Sequence, residues 1–381
     1  MSEQNTTEFF GELKEWSERK LNILEGYLDP FVKILGSRAN KQVYFIDAFA
    51  GAGIYEKDGA KGSAIRAAEL AEKYQLEGKR YRLHCINIEN DPDNYQNLEK
   101  NTARFGQLVL NLSGTFADNV SRILRETARS PALCFLDPFG VKGINWHVIQ
   151  KLIQRPAPTD FWVRFDHSTL FRLAGFYDSD AASADKNLAT LADTYGISDH
   201  DVLRNSLTGE TVQEKRQKAV NLYMKGLEEE FRQARGKGFA AYYPIRSITG
   251  QDKYFLVFAT GHPRGAIIAS ELVCSAEETY VLDKEEYQAR QPRQLSLFQT
   301  DPSEEEIFAD KVQRLQEAIQ EKCADERLTR DEIYERILRD WFGKIRSTHM
   351  TNALKALIDN GTITSAKGPP SDRNSVFEFR Q

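Results

Sequence analysis

The chain has 381 residues, 41% apolar and 28% charged, with a formal net charge of −5. That is more than one average domain, with apolar content for a large α/β core and a smaller appendage, and the acidic balance speaks against nucleic-acid binding over the whole surface but not against a local basic patch. Cys85, Cys134, Cys274 and Cys323 form no CxxC pair and no zinc spacing to histidine, no apolar run has the length of a membrane span, and the N-terminal MSEQNTTEFFGELKEW lacks a signal-peptide core, so the expectation is a cytoplasmic protein without a metal.

Residues 7–36 read as a helix, with Leu13, Trp16, Leu21, Leu24, Leu28 and Phe31 at broadly helical spacing. Val43 to Ile46 form a short apolar strand that ends in Asp47 and a glycine-bearing loop. A helix over 62–75 follows, with Ser63 as its expected N-cap, then a strand over 81–90 ending in an acid and a helix opened by Pro92. Residues 107–114 predict a third strand, Ala117 to Ala128 a third helix, 132–140 a fourth strand ending Asp-Pro-Phe-Gly, and 160–166 a fifth. Residues 174–238 are polar and helical in pattern and read as an insertion. Residues 239–247 and 254–262 predict a hairpin, and Arg264 to Tyr280 another helix.

Strand–helix alternation of this kind implies a mostly parallel sheet covered on both faces, here of about seven strands with an antiparallel hairpin at the end. The expected domains are an α/β domain over 1–286, a linker over 287–304 rich in Gln, Arg, Pro and Ser, and a C-terminal domain over 305–381. In the last, helices near 305–323, 330–341 and from Ser347, stopped by Gly361, precede two short strands around a Gly-Pro-Pro loop: a winged helix.

Three signals point to a ligand site. Gly51 and Gly53 let the backbone approach a ligand closely after the first strand, where open α/β sheets bind. Glu89 ends the second strand, where an acid accepts from both ribose hydroxyls; it lies 42 residues on (from 47 to 89), and loop 54–62 accounts for the extra length and suits a lid. Asp137-Pro138-Phe139-Gly140 ends the fourth, where a carboxylate can hold an amino group and an aromatic ring can stack on a base. Each feature alone has a structural use, as a tight turn, a helix start or an Asp-Pro bend; together, at the ends of strands in one sheet, they form a pattern. A nicotinamide-dependent oxidoreductase would need glycine where Phe49 stands. No Ser-His-Asp order or carboxylate pair stands out.

Phe49-Ala50-Gly51-Ala52-Gly53 resembles the FxGxG cofactor motif of amino-group methyltransferases that use S-adenosylmethionine (SAM), and Asp137-Pro138-Phe139-Gly140 resembles their (D/N/S)PP(Y/F/W) motif and the DPFG motif of tRNA guanine-N2 dimethyltransferases. The stretches RKLNILEGYLDPFVKIL, YFIDAFAGAG, INIEND, FLDPFGVKG and KYFLVFATGHPRG, spread over 19–270, resemble the three-Cys-motif partner protein (TcmP) family, which is methyltransferase-like. The resemblance implies a Rossmann-like SAM-dependent methyltransferase, and a partner carrying a three-cysteine motif similar to radical-SAM proteins. It places Asp47, Phe49, Ala50, Gly51 and Gly53 on the methionine side of SAM, Glu89 at the ribose, and Asn90, Thr115 and Phe116 near the adenine. Asp137 to Gly140 would hold the target amine and its base. The second proline of the amino-methyltransferase motif is Phe139 here, and Thr115 stands where an acid or Asn is common.

Gln294-Leu295-Ser296-Leu297-Phe298 resembles the peptide with which bacterial proteins dock on the DNA sliding clamp. Lys344, Arg346, Thr348, Asn352 and Lys355, with Lys367 and Arg373 in the wing, are the expected nucleic-acid contacts. The rival to an enzyme is an inactive SAM-binding adaptor that brings its partner to nucleic acid.

Overall fold

The computed structural model describes residues 14–37, 42–138, 140, 143–166, 182–290, 303–324 and 326–379. The chain divides into two compact units, 1–262 and 263–381.

The first unit is built on a seven-stranded sheet in the order β3-β2-β1-β4-β5-β7-β6. Its strands are β1 (Gln42–Asp47), β2 (Arg82–Glu89), β3 (Val109–Ser113), β4 (Ala132–Leu136), β5 (Thr159–Phe165), β6 (Phe239–Arg246) and β7 (Asp252–Thr260). β1 to β5 are parallel; β7 runs antiparallel to both β5 and β6. The chain works outward from β1 to β3, then returns to place β4 on the other side of β1. The gap between the C-terminal ends of β1 and β4 is therefore the topological switch point, the crevice where such sheets take ligands.

Helices cover both faces, which is why the strands read as nearly unbroken apolar runs. On one face lie α1 (Glu15–Gly36) and α2 (Ser63–Leu76), with α3 (Pro92–Thr102) after β2. Tyr27 of α1 meets Trp162 and Phe258 edge-on, at centroid distances of 5.9 and 5.0 Å. The opposite face is closed by α4 (Phe116–Thr127), α5 (Trp146–Ile153) and α8 (Val212–Arg235), which pack Phe116, Ile123, Ile149, Tyr223 and Phe231 against Ile46, Cys134, Leu136, Phe161 and Phe165.

Two features differ from the sequence expectation. The short helix α5 stands where no element was predicted. The segment read as an insertion contains α6 (Ala182–Tyr195), α7 (His200–Leu207) and α8, and α8 is scaffold: Tyr223, Leu227 and Phe231 are buried in the main core. Its many charges line the other side and mask that stripe. Thr211 caps α8 by reciprocal bonding with Glu214, worth about 1 kcal/mol, and left-handed Gly236 ends it.

The second unit contains α9 (Pro263–Ala289), α10 (Glu304–Cys323), β8 (Arg327–Thr329), α11 (Arg330–Trp341), α12 (Ser347–Asp359), β9 (Ile363–Lys367) and β10 (Val376–Phe379). Helix α9, which the sequence reading placed in the first domain, groups with this unit. The three strands form an antiparallel sheet in the order β8-β10-β9; β8, three residues long, was not predicted. Gly361, at φ 77°, follows α12 as expected. Gln294–Phe298 lies outside the described residues.

Candidate cofactor and acceptor site

The glycine loop after β1 is pinned across the sheet. Ala50 N–H donates to the Ile88 carbonyl at 2.9 Å. Gly51 N–H donates to Glu89 Oε2 at 2.8 Å, and Asp91 N–H to Oε1 at 2.7 Å. Glu89 thus accepts from the backbone N–H groups of Gly51 and Asp91, with that of Asn90 adding to their pull, and part of its acceptor capacity is left for a ligand hydroxyl. Burial pushes this carboxyl up, against the pull of those amides. Asn90 is exposed beside it.

Gly51 and Gly53 have φ of 60° and 79°, the left-handed region that favours glycine. A Cβ on Gly51 would meet nothing within 4 Å, so this backbone faces open space; one on Gly53 would meet Leu98 at 3.2 Å and Ile65 at 3.3 Å. The first is a place of approach and the second a place of packing. Loop 54–62, expected as a lid, contains a small hairpin: Ile54 bridges Lys61, and Tyr55 N–H donates to the Ala60 carbonyl.

Asp47 is fully buried. It accepts the Phe49 N–H at 3.2 Å and the Ser63 hydroxyl. Ser63 is therefore not the N-cap of α2, which is Gly62; it ties the helix to the strand end. Burial raises the Asp47 carboxyl to about 7, with the nearby Asp137 charge adding to the effect. With no exposed surface and each oxygen accepting from inside the chain, its side chain shapes the loop.

The other predicted residues have these places. The Phe49 side chain packs on the main core and beneath Gly143, whose Cβ would come within 2.9 Å of its ring. Ala50 is buried with Ala64 and Leu98. Thr115 is spent on capping α4, in a reciprocal box with Asp118. The Phe116 side chain is in the core, 2% exposed, as an apolar residue in the first turn of an amphipathic helix goes inward. Pro138 and Gly140 are buried, Gly140 with φ 86°. Phe139 lies outside the described residues.

Asp137 stands just past β4, level with the end of β5, since Leu136 pairs with Val163. The side chain is not alone. Lys20, from the second turn of α1, donates to Oδ2, and Arg164 Nη1 stands 3.5 Å from Oδ1. Lys20 and Arg164 also lie over the Tyr254 ring, 5.9 and 4.6 Å from its centroid. Burial alone would raise the Asp137 carboxyl; the Lys20 and Arg164 charges outweigh it and hold it below the usual range. Burial draws the Lys20 ammonium down, with Asp137 opposing. Asp137 is thus a permanent acceptor of hydrogen bonds and a poor proton acceptor.

Sequence reading passed over Lys20 and Arg164, yet each carries a signal. Lys20 sits on the apolar stripe of α1 with Leu24, Tyr27 and Phe31, and Arg164 interrupts the apolar run Phe161-Trp162-Val163-Arg164-Phe165. A charge on a buried face calls for a partner. Among the described residues no cluster of His, Cys, Asp and Glu could hold a metal, and no helix is long and apolar enough to cross a membrane.

In the second unit Lys344, Arg346, Thr348, Asn352, Lys355, Lys367 and Arg373 are all exposed. Thr348, Asn352 and Lys355 share one face of α12 by their i, i+4, i+7 spacing. Arg346 pairs with Glu278, and Lys344 donates to the Asp340 carbonyl, so both are partly engaged.

No family model matches the chain, and no curated protein matches it in sequence. Solved structures similar to it include an O-methyltransferase from Bacillus cereus in complex with SAH, 12% identical over 62% of this chain and 80% of that one, with a TM-score of 0.33. A Legionella pneumophila protein is 14% identical over 68% and 91%, TM-score 0.37. A Streptomyces achromogenes O-methyltransferase of tomaymycin synthesis, solved with SAM, is 14% identical over 68% and 99%, TM-score 0.33.

Proposed function

We propose that this chain is a SAM-dependent methyltransferase acting on an exocyclic amine of a nucleobase in DNA or RNA, in the cytoplasm and together with a three-cysteine-motif partner protein. The observation that carries the reading is the Gly51–Glu89 pair at the switch point: an open backbone surface beside a carboxylate that keeps acceptor capacity after bonding the loop amides. A nucleoside with free ribose hydroxyls fits that arrangement.

SAM supplies an electrophilic methyl group that carries its own leaving group. The chain's residues then bind and orient. Glu89 accepts from the ribose hydroxyls, Gly51 lets the ligand lie close, and Asp137 accepts from the acceptor amine. That bond turns the amine lone pair toward the methyl, a matter of orientation rather than strong base catalysis. The C-terminal unit is read as a winged helix, with the Thr348–Asn352–Lys355 face of α12 toward bases and Lys367 and Arg373 toward phosphates.

Calorimetric titration with SAM, its demethylated product SAH and NAD tests the cofactor, with Gly53→Asp as control. Micromolar binding of SAM or SAH, lost in the variant, supports the reading and opens a labelled-methyl screen over DNA, tRNA and protein. Binding of NAD in their place sinks it. One observation favours the adaptor reading: both Asp137 oxygens already face cations. SAH binding without methyl transfer to any acceptor, partner present, would select it.

A further inference from the structure

One flank of the first unit carries arginines that the cofactor site does not use. Helix α4 lies on β2 and leaves Arg122 and Arg125 exposed, three residues apart and so on one side; Arg129 is exposed in the turn that follows. Strand alternation sends exposed Arg82 to the same side of the sheet as Ile86 and Ile88, which pack in the cluster that holds Phe116 and Ile123 of α4. The Glu126 charge acts on Tyr44, which pairs with His84, so the last turn of α4 lies at the end of the sheet where β2 begins with Arg82.

These charges are not neutralised within the chain. From 119 to 131 there are three arginines and one acid, Glu126, which stands 4.0 Å from Arg122 and 3.9 Å from Arg125 and so pairs closely with neither. Arg82 and Arg129 make no hydrogen bond and no ion pair among the described residues. Elsewhere in this unit arginines are spent internally: Arg66 on Glu18, Arg104 on Glu69 and Arg232 on Glu229, with Arg155 and Arg235 on backbone carbonyls. Guanidinium groups gathered without acids repel one another, and an anionic partner relieves that cost.

The chemistry of the patch selects the partner. Among the described residues of this unit the exposed large apolar side chains, Leu76, Val202 and Val212, stand on α2, α7 and α8, so the patch lacks the apolar core that a protein partner would need and the apolar side chains that a membrane would take up. Guanidinium forks match phosphate oxygens. Arg122 to Arg129 spans about 10 Å, the reach of about three phosphates along one strand. Since α4 starts beside the crevice, after β3, and ends at the far end of the sheet, a strand that enters the crevice can follow it.

We propose that Arg82, Arg122, Arg125 and Arg129 form a track that holds the phosphate backbone of a nucleic acid on the first unit, independent of sequence and separate from α12. This rests on the nucleic-acid part of the reading above and not on methyl transfer.

Fluorescence anisotropy of the full chain with labelled RNA and DNA duplexes of about 20 base pairs, between about 50 and 200 mM salt, tests it. The triple variant Arg122→Gln, Arg125→Gln, Arg129→Gln should lower the slope of log affinity against log salt by about two to three and weaken binding at least about tenfold at low salt; Arg82→Gln should lower the slope by about one. Lys73→Gln, Lys218→Gln, Lys225→Gln removes the same charge from exposed positions on α2 and α8 and should leave the slope unchanged. An unchanged slope in the arginine variant, an equal fall in the lysine variant, or no binding of either duplex by the wild type overturns the proposal. Capture by anionic lipid vesicles in place of nucleic acid overturns it too. The urea midpoint controls for folding, and if the triple variant does not fold, the single Arg→Gln variants decide, each expected to lower the slope by about one. Calorimetry with SAH on the same protein is read separately: failure to bind SAH removes the methyltransferase reading and leaves the track standing.

Discussion

Replacing Asp137 by Asn leaves Lys20, whose side chain is 4% exposed, and Arg164, 14% exposed, facing each other without a carboxylate. Removing one partner of a buried ion pair costs about 3–5 kcal/mol. Asp137 keeps 18% of its exposure, which admits some solvent, so the expected loss for Asp137→Asn is about 2–4 kcal/mol. Lys20→Met removes a buried ammonium and leaves Asp137 with Arg164, at about 1–3 kcal/mol. The double variant has no orphaned Lys20 and should be less destabilised than the sum, with a coupling of about 2 kcal/mol. Urea unfolding followed by tryptophan fluorescence reads this out, since three of the four tryptophans, Trp16, Trp146 and Trp162, lie in the first unit and Trp341 in the second. The Asp137 carboxyl is held below its ordinary value, so its contribution is present at neutral pH and fades as pH falls through its lowered pKa. The coupling should shrink in acid. Additive losses at pH 7 would refute the clamp, and a knockout at Asp137 could then be read as chemistry alone.

Gly51→Ala and Gly53→Ala share a positive φ and so a backbone cost of about 1–2 kcal/mol, but only the Gly51 methyl projects into open space. Gly51→Ala should weaken SAH binding beyond its effect on unfolding, and Gly53→Ala should lower stability more; calorimetry beside urea unfolding separates them. Glu89→Gln turns one acceptor into a donor facing a backbone N–H of Gly51 or Asp91, so SAH affinity should drop at least about tenfold while 2′,3′-dideoxy analogues, which lack the ribose hydroxyls, lose far less. Asp47, raised from 3.8 to about 7 by burial, costs folded stability as pH climbs from about 4 to about 7, and Asp47→Asn should flatten that slope, by a few kcal/mol at most. In the second unit, Lys355→Ala should weaken binding to oligonucleotides evenly across sequences and reduce the salt slope by about one; an unchanged slope removes Lys355 from the interface.

The strand ends were legible because an apolar run that stops at an acid is a local signal, and Asp47, Glu89 and Asp137 each close such a run. What they do was less so. Asp47 ties down the Phe49 N–H and the Ser63 hydroxyl, and a hydroxyl 16 residues away is invisible to strand periodicity. Lys20 and Asp137 lie 117 residues apart, and only the fold brings them together. Helix α5 escaped because it is only eight residues long, about two turns, too short for buried Trp146, Val148, Ile149, Leu152 and Ile153 to establish a helical period. Helix α8 was legible as a helix but not as core, because its buried residues are thinly spaced among charges.

The arrangement also bears on why the sheet has one register. Side chains alternate along each strand, so Phe45 with Asp47 and Trp162 with Arg164 point to the face of α1, while Ile46, Phe161 and Phe165 point to the closed apolar face. Slipping β5 by one residue would carry Arg164 and Asp160 into the cluster of Phe231, Tyr223 and Trp146, away from every partner they have now. Tyr27 and Thr260 satisfy Asp160, and Asp137 pairs with Arg164. The charges that equip the crevice therefore exclude the wrong pairing of the strands that build it, so site and register are specified by the same residues.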